Sequence, residues 1–258
     1  MPTRHSAIDI PVGAHHIAGT LVAPSTAIPG VLLVHGWDGS QAQYLARAHE
    51  ISALGCICLT IDLRGHARHK ALREAVTRED NLQDVLAGYD TLVGHPAVDP
   101  QSVAIIGSSY GGYLAALVSA LRPVRWLALR APALYRDEAW DTPKGKLARE
   151  DLMRYRHSVI APPDNRALAA CAAFRGDALI VESEHDKTVP HPVIENYLTA
   201  LKRVHSVTYR VLSGADHALS QEASRQAYGM LLVSWMTEML LGAKAATGLL
   251  RPTPHSPA

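Results

Sequence analysis

Cysteine is scarce in this chain: Cys56, Cys58 and Cys171 are the only three among 258 residues. So few thiols exclude a disulfide framework. Cys56 and Cys58 lie in the apolar run Cys56-Ile57-Cys58-Leu59-Thr60-Ile61, where alternation points both to one face of a strand. They read as buried thiols rather than a metal or redox pair. Long hydrophobic runs are also missing, since no stretch reaches the roughly 18 uninterrupted apolar residues of a membrane span. The opening Met1-Pro2-Thr3-Arg4-His5 leads into no continuous apolar signal region. Nor is there an excess of one charge: the net charge is +1 with histidines neutral. That balance removes the bulk electrostatic case for a nucleic acid or an anionic membrane as partner. The expectation is a cytoplasmic protein.

What remains is an ordinary globular composition, 48% hydrophobic and 19% charged. The length suits one large α/β domain or two small ones. Ser6 to Val12 and His15 to Val22 read as an N-terminal antiparallel hairpin around a Gly13 turn. Val31-Leu32-Leu33-Val34 is a continuous apolar strand, as expected where both faces of a sheet are covered. From there strands and helices alternate. Helices are expected at about Ala42 to Leu54, Asp80 to Val93, Tyr113 to Leu121, Arg166 to Phe174, His191 to Leu201 and Ser220 to Leu241. The strands between them are Ile57 to Ile61, Val103 to Ile106, Trp126 to Leu129, Ala178 to Glu182 and Val207 to Leu212. The stretch 131–164 reads as irregular. This alternation predicts a mostly parallel sheet wrapped on both faces, with ligands at the carboxyl ends of its strands. Residues 1–242 form the expected single domain, with a small cap at about 131–174 and a flexible tail over 243–258.

Chemistry concentrates after the strands. Gly107-Ser108-Ser109-Tyr110-Gly111-Gly112 joins an apolar strand to a helix, and its G-x-S-x-G spacing puts Ser109 at the apex of a tight turn. Small residues are needed two positions to either side, and Gly107 and Gly111 supply them. The serine oxygen would then stand beside a helix N-terminus, which favours developing negative charge. His217 follows the last strand and Asp186 the one before it, so the order is Ser…Asp…His. A serine hydroxyl needs an adjacent base, which imidazole provides, and the imidazole needs an acceptor on its other nitrogen. Glu182, Glu184 and Asp216 compete with Asp186 for that last role; Asp186 is preferred because it occupies the loop itself.

With these residues in view the sequence resembles the α/β-hydrolase family along nearly the whole chain. The resemblance rests on the elbow around Ser109, His35-Gly36, Asp62-x-Arg64-Gly65-His66 and the Asp186 and His217 loops. The Gly-x-Ser-Tyr-Gly-Gly elbow looks like that of prolyl-oligopeptidase relatives. The compact layout looks more like small bacterial carboxylesterases of the cinnamoyl-esterase and dienelactone-hydrolase types. Dienelactone hydrolases usually carry a cysteine where this chain has Ser109.

The resemblance implies an α/β-hydrolase fold with an eight-stranded, mostly parallel sheet and a small cap. It implies hydrolysis of esters, thioesters or amides through an acyl-enzyme, without a cofactor or metal. It also implies an oxyanion hole made by the backbone N–H groups of Trp37 and Tyr110. His35 is expected to support the oxyanion loop and the Asp62–His66 loop to be structural, with no metal at His66 and His69. Arg130 after its strand, and Tyr135 and Trp140 in the cap, are the candidate substrate-binding residues.

The expected activity is hydrolysis of small or medium carboxylic esters. A peptidase or amidase, a thioesterase and a non-catalytic ligand-binding protein on the same fold remain alternatives; the propeller-sized domain of an oligopeptidase is not expected within these 258 residues. The expected partner is a small-molecule ester, and whether the chain works alone or as a homodimer stays open.

Overall fold

The computed structural model describes residues 3–12, 15–24 and 27–246. The Gly13 turn and the part of the expected tail beyond residue 246 lie outside them. Strand β1 (Thr3–Val12) pairs antiparallel with β2 (His15–Pro24), slightly longer than the alternation suggested. Next come β3 (Ile28–Val34), a 3-10 turn at Gln41–Tyr44, α1 (Leu45–Ser52) and β4 (Ile57–Ile61). Helix α2 (Arg78–Val93), β5 (Val98–Ser108), α3 (Tyr110–Val118) and β6 (Trp126–Arg130) follow. Then come α4 (Arg149–Arg156), α5 (Arg166–Ala173), β7 (Asp177–Ser183), α6 (His191–Ala200), β8 (Ser206–Leu212) and α7 (Glu222–Ala246).

The main sheet has six strands, not eight, in the order β4-β3-β5-β6-β7-β8, and every pairing is parallel. The remaining two strands pair with each other as a separate two-stranded sheet. A tight antiparallel hairpin satisfies its own inner edge, so it need not extend the large sheet to form.

Period-two alternation divides the core. Val31, Leu33, Ala104, Ile106, Trp126, Ala128, Leu179 and Val181 pack with Tyr228, Leu232 and Trp235 of α7 and Ile51 of α1. Their neighbours Leu32, Val34, Val103, Ile105, Leu127, Leu129 and Ile180 pack with residues of α2, α3, α5 and α6 on the other face. Two covered faces explain why these strands read as unbroken apolar runs.

Chain direction across the sheet reverses at β3: the next strand in sequence lies to one side of it and β5 to the other. A crevice opens at the carboxyl ends of the strands where the order reverses. Val34 there is in register with Gly107, so the loop after β3 and the turn after β5 emerge side by side.

Between β6 and α5 the expected irregular stretch contains α4. Its acidic first turn (Glu150, Asp151) and basic last turn (Arg154, Arg156) match the helix dipole. Among the described residues no helix is long and apolar enough to cross a membrane. None of the three cysteines forms a disulfide, and burial pushes the Cys58 and Cys171 thiols up to about 12.

Candidate active site

The turn from β5 into α3 is tighter than the sequence pattern required: α3 begins at Tyr110, directly after Ser109. Ser109 has φ 53° and ψ −115°, a conformation that costs a non-glycine residue roughly 1–3 kcal/mol. Its surroundings hold it there. Ser109 N–H donates to the Arg130 carbonyl at 2.8 Å, and Ser109 O accepts from the N–H groups of Tyr113 and Ala133 at 3.1 and 2.9 Å. The flanking glycines are required by space. A Cβ on Gly107 would stand 2.3 Å from Gly111 O, and one on Gly111 would stand 2.4 Å from Val34 O.

The strained turn aims Ser109 Oγ at His217. The hydroxyl donates to His217 Nε2 at 2.9 Å, and His217 Nδ1–H donates to Asp186 Oδ2 at 2.6 Å. Asp186 Oδ1 accepts from the N–H groups of Thr188 and Val189, both at 2.8 Å, which fixes the carboxylate plane. Asp186 is almost fully buried, its side chain 3% exposed, so little water competes for His217. The competing acids are engaged elsewhere. Glu182 bonds His191 and Tyr209, Glu184 bonds Ser213 and Gly214, and Asp216 bonds Ser220. An imidazole held in this tautomer can accept the serine proton, and the adjacent carboxylate stabilises the imidazolium that forms.

The loop after β3 closes the other side. Gly36 allows the approach, since a Cβ there would meet Ser108 O at 3.2 Å and Ser109 Cβ at 3.4 Å. His35 fastens this loop from below: Leu63 N–H donates to its Nε2 at 3.1 Å, and its Nδ1–H donates to Gly36 O at 2.7 Å. Burial holds the His35 pKa down, so the ring stays neutral and can accept from Leu63. Among the described residues the backbone N–H groups of Trp37 and Tyr110 have no backbone partner. Tyr110 is the first residue of α3, where intrahelical acceptors are lacking. Two such donors beside a nucleophile can hold an oxyanion.

The remaining expectations divide. Asp62 accepts from Gln41, Arg64 pairs with Asp80 and Asp84, and His66 spends Nδ1 on the Arg64 carbonyl. Among the described residues no group of His, Cys, Asp or Glu could hold a metal ion. Tyr135 and Trp140 do not reach the cavity at Ser109. Tyr135 packs edge-on against the rings of Tyr110 and Tyr113, and Trp140 donates to Glu79 and lies against Arg78 and Arg166. Both lie in the stretch between β6 and α4 and are buried.

Arg130 does line the cavity, but three of its nitrogens serve the framework: Nε to Ser108 Oγ at 2.6 Å, Nη1 to Ser183 Oγ at 3.3 Å, Nη2 to His217 O at 2.9 Å.

Three cationic side chains near the site were not singled out from sequence. Lys144, between β6 and α4, places Nζ 3.6 Å from the centre of the Trp37 ring. Burial, with repulsion from Arg156 and Arg73, pulls its pKa down to about 7. Arg47 and Arg225 line the cavity from α1 and α7. No local pattern marked them, because the cavity joins helix faces distant in sequence.

Comparison with known proteins gives the family and the fold. The family model for the prolyl oligopeptidase family matches residues 40–242. This chain belongs to that family. It is a serine hydrolase of the α/β-hydrolase type. Solved structures share the fold at low identity. A metagenome-derived lipolytic enzyme is 17% identical at a TM-score of 0.64, covering 83% of this chain and 96% of its own. Carboxyl esterase 2 of the mycorrhizal fungus Tuber melanosporum is 20% identical at 0.60, covering 92% and 86%. The acylaminoacyl peptidase of Pyrococcus horikoshii is 16% identical at 0.58; 90% of this chain covers 41% of it. A comparison with curated protein sequences finds no match.

Proposed function

We propose that this hydrolase cleaves small or medium carboxylic esters through an acyl-enzyme, with Ser109 as nucleophile. The observation that carries the reading is the unbroken chain from Ser109 Oγ through His217 to Asp186, at 2.9 and 2.6 Å, on a strained turn. His217 takes the serine proton as Oγ attacks the ester carbonyl, then gives it to the departing alkoxide. Asp186 keeps His217 oriented and stabilises its charged form. The Trp37 and Tyr110 N–H groups hold the tetrahedral oxyanion. Water, deprotonated by His217, then releases the acid and restores Ser109. A cavity of about 320 Å³ beside Ser109 suits a small substrate.

Membership of the prolyl oligopeptidase family supports a second reading, cleavage of amides. An enzyme that reads a free peptide N-terminus needs a carboxylate for the ammonium. Among the described residues the one carboxylate lining the cavity, Asp38, is paired with Arg73. Matched p-nitrophenyl butyrate, butyryl p-nitroanilide and butyryl thioester substrates separate the readings. Ester turnover is expected to exceed anilide turnover by orders of magnitude beyond the difference in intrinsic reactivity; a ratio no larger than the intrinsic one supports the amidase.

A further inference from the structure

The cavity beside Ser109 is lined by three guanidinium groups, on Arg47, Arg130 and Arg225. None has a carboxylate partner among the described residues. Arg130 bonds two serine hydroxyls and the His217 carbonyl. Among the described residues the Arg225 guanidinium donates to the carbonyls of Leu219 and Ser220. Arg47 reaches the Gln43 carbonyl at 3.5 Å, and its Nε is buried without a hydrogen-bond partner. Among the described residues the one acid on the cavity wall, Asp38, is held by Arg73.

Two of the charges also share an aromatic neighbour. The buried ring of Tyr228 has the Arg47 guanidinium 4.9 Å from its centre and that of Arg130 5.8 Å from it. Two cations on one aromatic ring repel each other, and a ring face offsets only part of that. An anion in the cavity that all three arginines line would offset their charge and accept from N–H groups that lack a carboxylate partner. Guanidinium presents paired donors in a fork that matches a carboxylate. A purely apolar acyl chain entering here would instead desolvate these charges without replacing their hydrogen bonds.

We propose that this cavity receives a carboxylate carried by the substrate, so that the preferred ester also bears a negative charge, as in a half-ester of a small dicarboxylic acid. Arg47 and Arg225 bind that carboxylate. Arg130 adds its charge from the floor while keeping its bonds to the framework. This inference rests on the ester-hydrolase reading and names its substrate class.

The test compares two pairs of esters differing only in charge. Mono-p-nitrophenyl adipate is set against its methyl ester, and 4-hexanoyloxybenzoate against its methyl ester; the first pair carries the charge on the acyl side, the second on the leaving group. In wild-type protein one acid is expected to exceed its neutral partner in kcat/KM by tenfold or more, and the pair that shows it identifies the side that enters the cavity. Salt at 0.5 M should shrink the ratio, and Arg47→Gln with Arg225→Gln should lower it about tenfold. Turnover with no preference for the acid in either pair overturns the inference and leaves the hydrolase reading standing. A preference that survives the double substitution overturns it as well. Failure to cleave any of the four esters, together with no fluorophosphonate adduct on Ser109, removes the hydrolase reading and the inference with it.

Discussion

Arg130, at the end of β6, reaches the main-chain carbonyl of His217 with Nη2 at 2.9 Å, while its Nε holds Ser108, the residue before the nucleophile candidate. One buried side chain therefore spans the strand that carries Ser109 and the loop that carries His217. It is 6% exposed, so its bonds are little challenged by water.

Replacing Arg130 with Met should therefore harm catalysis through position. Each hydrogen bond to a charged group contributes about 1.5–3 kcal/mol, and the three partners here would be left unsatisfied. The expected result is a lower melting temperature and a kcat for a neutral ester reduced at least tenfold with little change in KM. Wild-type kcat in folded Arg130→Met would show that the His217 loop stands without it.

Asp186→Asn should keep the fold and lose the reaction. The amide can donate to His217 Nδ1 and so favours the wrong tautomer, a change that costs on the order of 10⁴ in kcat in an analogous triad. Steady-state kinetics with p-nitrophenyl acetate measures this directly; a loss below tenfold would assign the orienting role elsewhere.

Gly111→Ala tests why the turn is glycine-flanked. The new Cβ would stand 2.4 and 2.5 Å from the carbonyl oxygens of Val34 and His35, both main-chain atoms at the end of β3. Both oxygens belong to the main chain, which yields far less than a flexible side chain, so a loss of about 3 kcal/mol or more is expected. Urea denaturation reads it, and near-wild-type stability would mean that the turn can relax.

Lys144 should make stability depend on pH. Its pKa is lowered to about 7 in the folded protein, against 10.5 when free. Between those values the unfolded chain holds the proton and the folded one does not, so stability rises with pH across that window. Below about 7 the folded protein carries the full cost of the buried charge. Lys144→Met removes it, so its melting temperature should exceed that of wild type most at pH 6 and least near pH 10. A difference constant with pH would contradict the lowered pKa.

Much of this was readable in the chain where one signal dominated. β4 has its expected limits, Ile57–Ile61, because a mostly apolar, β-branched run is bounded by Gly55 and Asp62. Ser109, Asp186 and His217 were legible because each follows a strand, and a parallel sheet brings strand ends together. Boundaries moved where side chains act locally: α2 begins two residues early, at Arg78, because Thr77 caps it in a reciprocal box with Asp80.

The sheet was overcounted because its two N-terminal strands pair only with each other. Helix α4 was hidden by its few apolar residues, although its charge order was a usable sign. Tyr135 and Trp140 were read as pocket aromatics from their place in the cap. Packing decided otherwise, through the buried Arg78 that both rings sandwich at 5.6 and 5.3 Å. The meeting of Arg47 with Arg130 across Tyr228 depends on α1 and α7 covering the same sheet face, which no local pattern reports.

The central claim is that Ser109 Oγ is the attacking atom. The direct measurement is intact mass after exposure to a fluorophosphonate, followed by peptide mapping, for wild type and folded Ser109→Ala. One adduct on Ser109 in wild type, none in the variant, and ester turnover reduced by 10³ or more in the variant is the predicted result. An unlabelled wild-type protein, or a Ser109→Ala variant that hydrolyses p-nitrophenyl acetate at the wild-type rate, would contradict it.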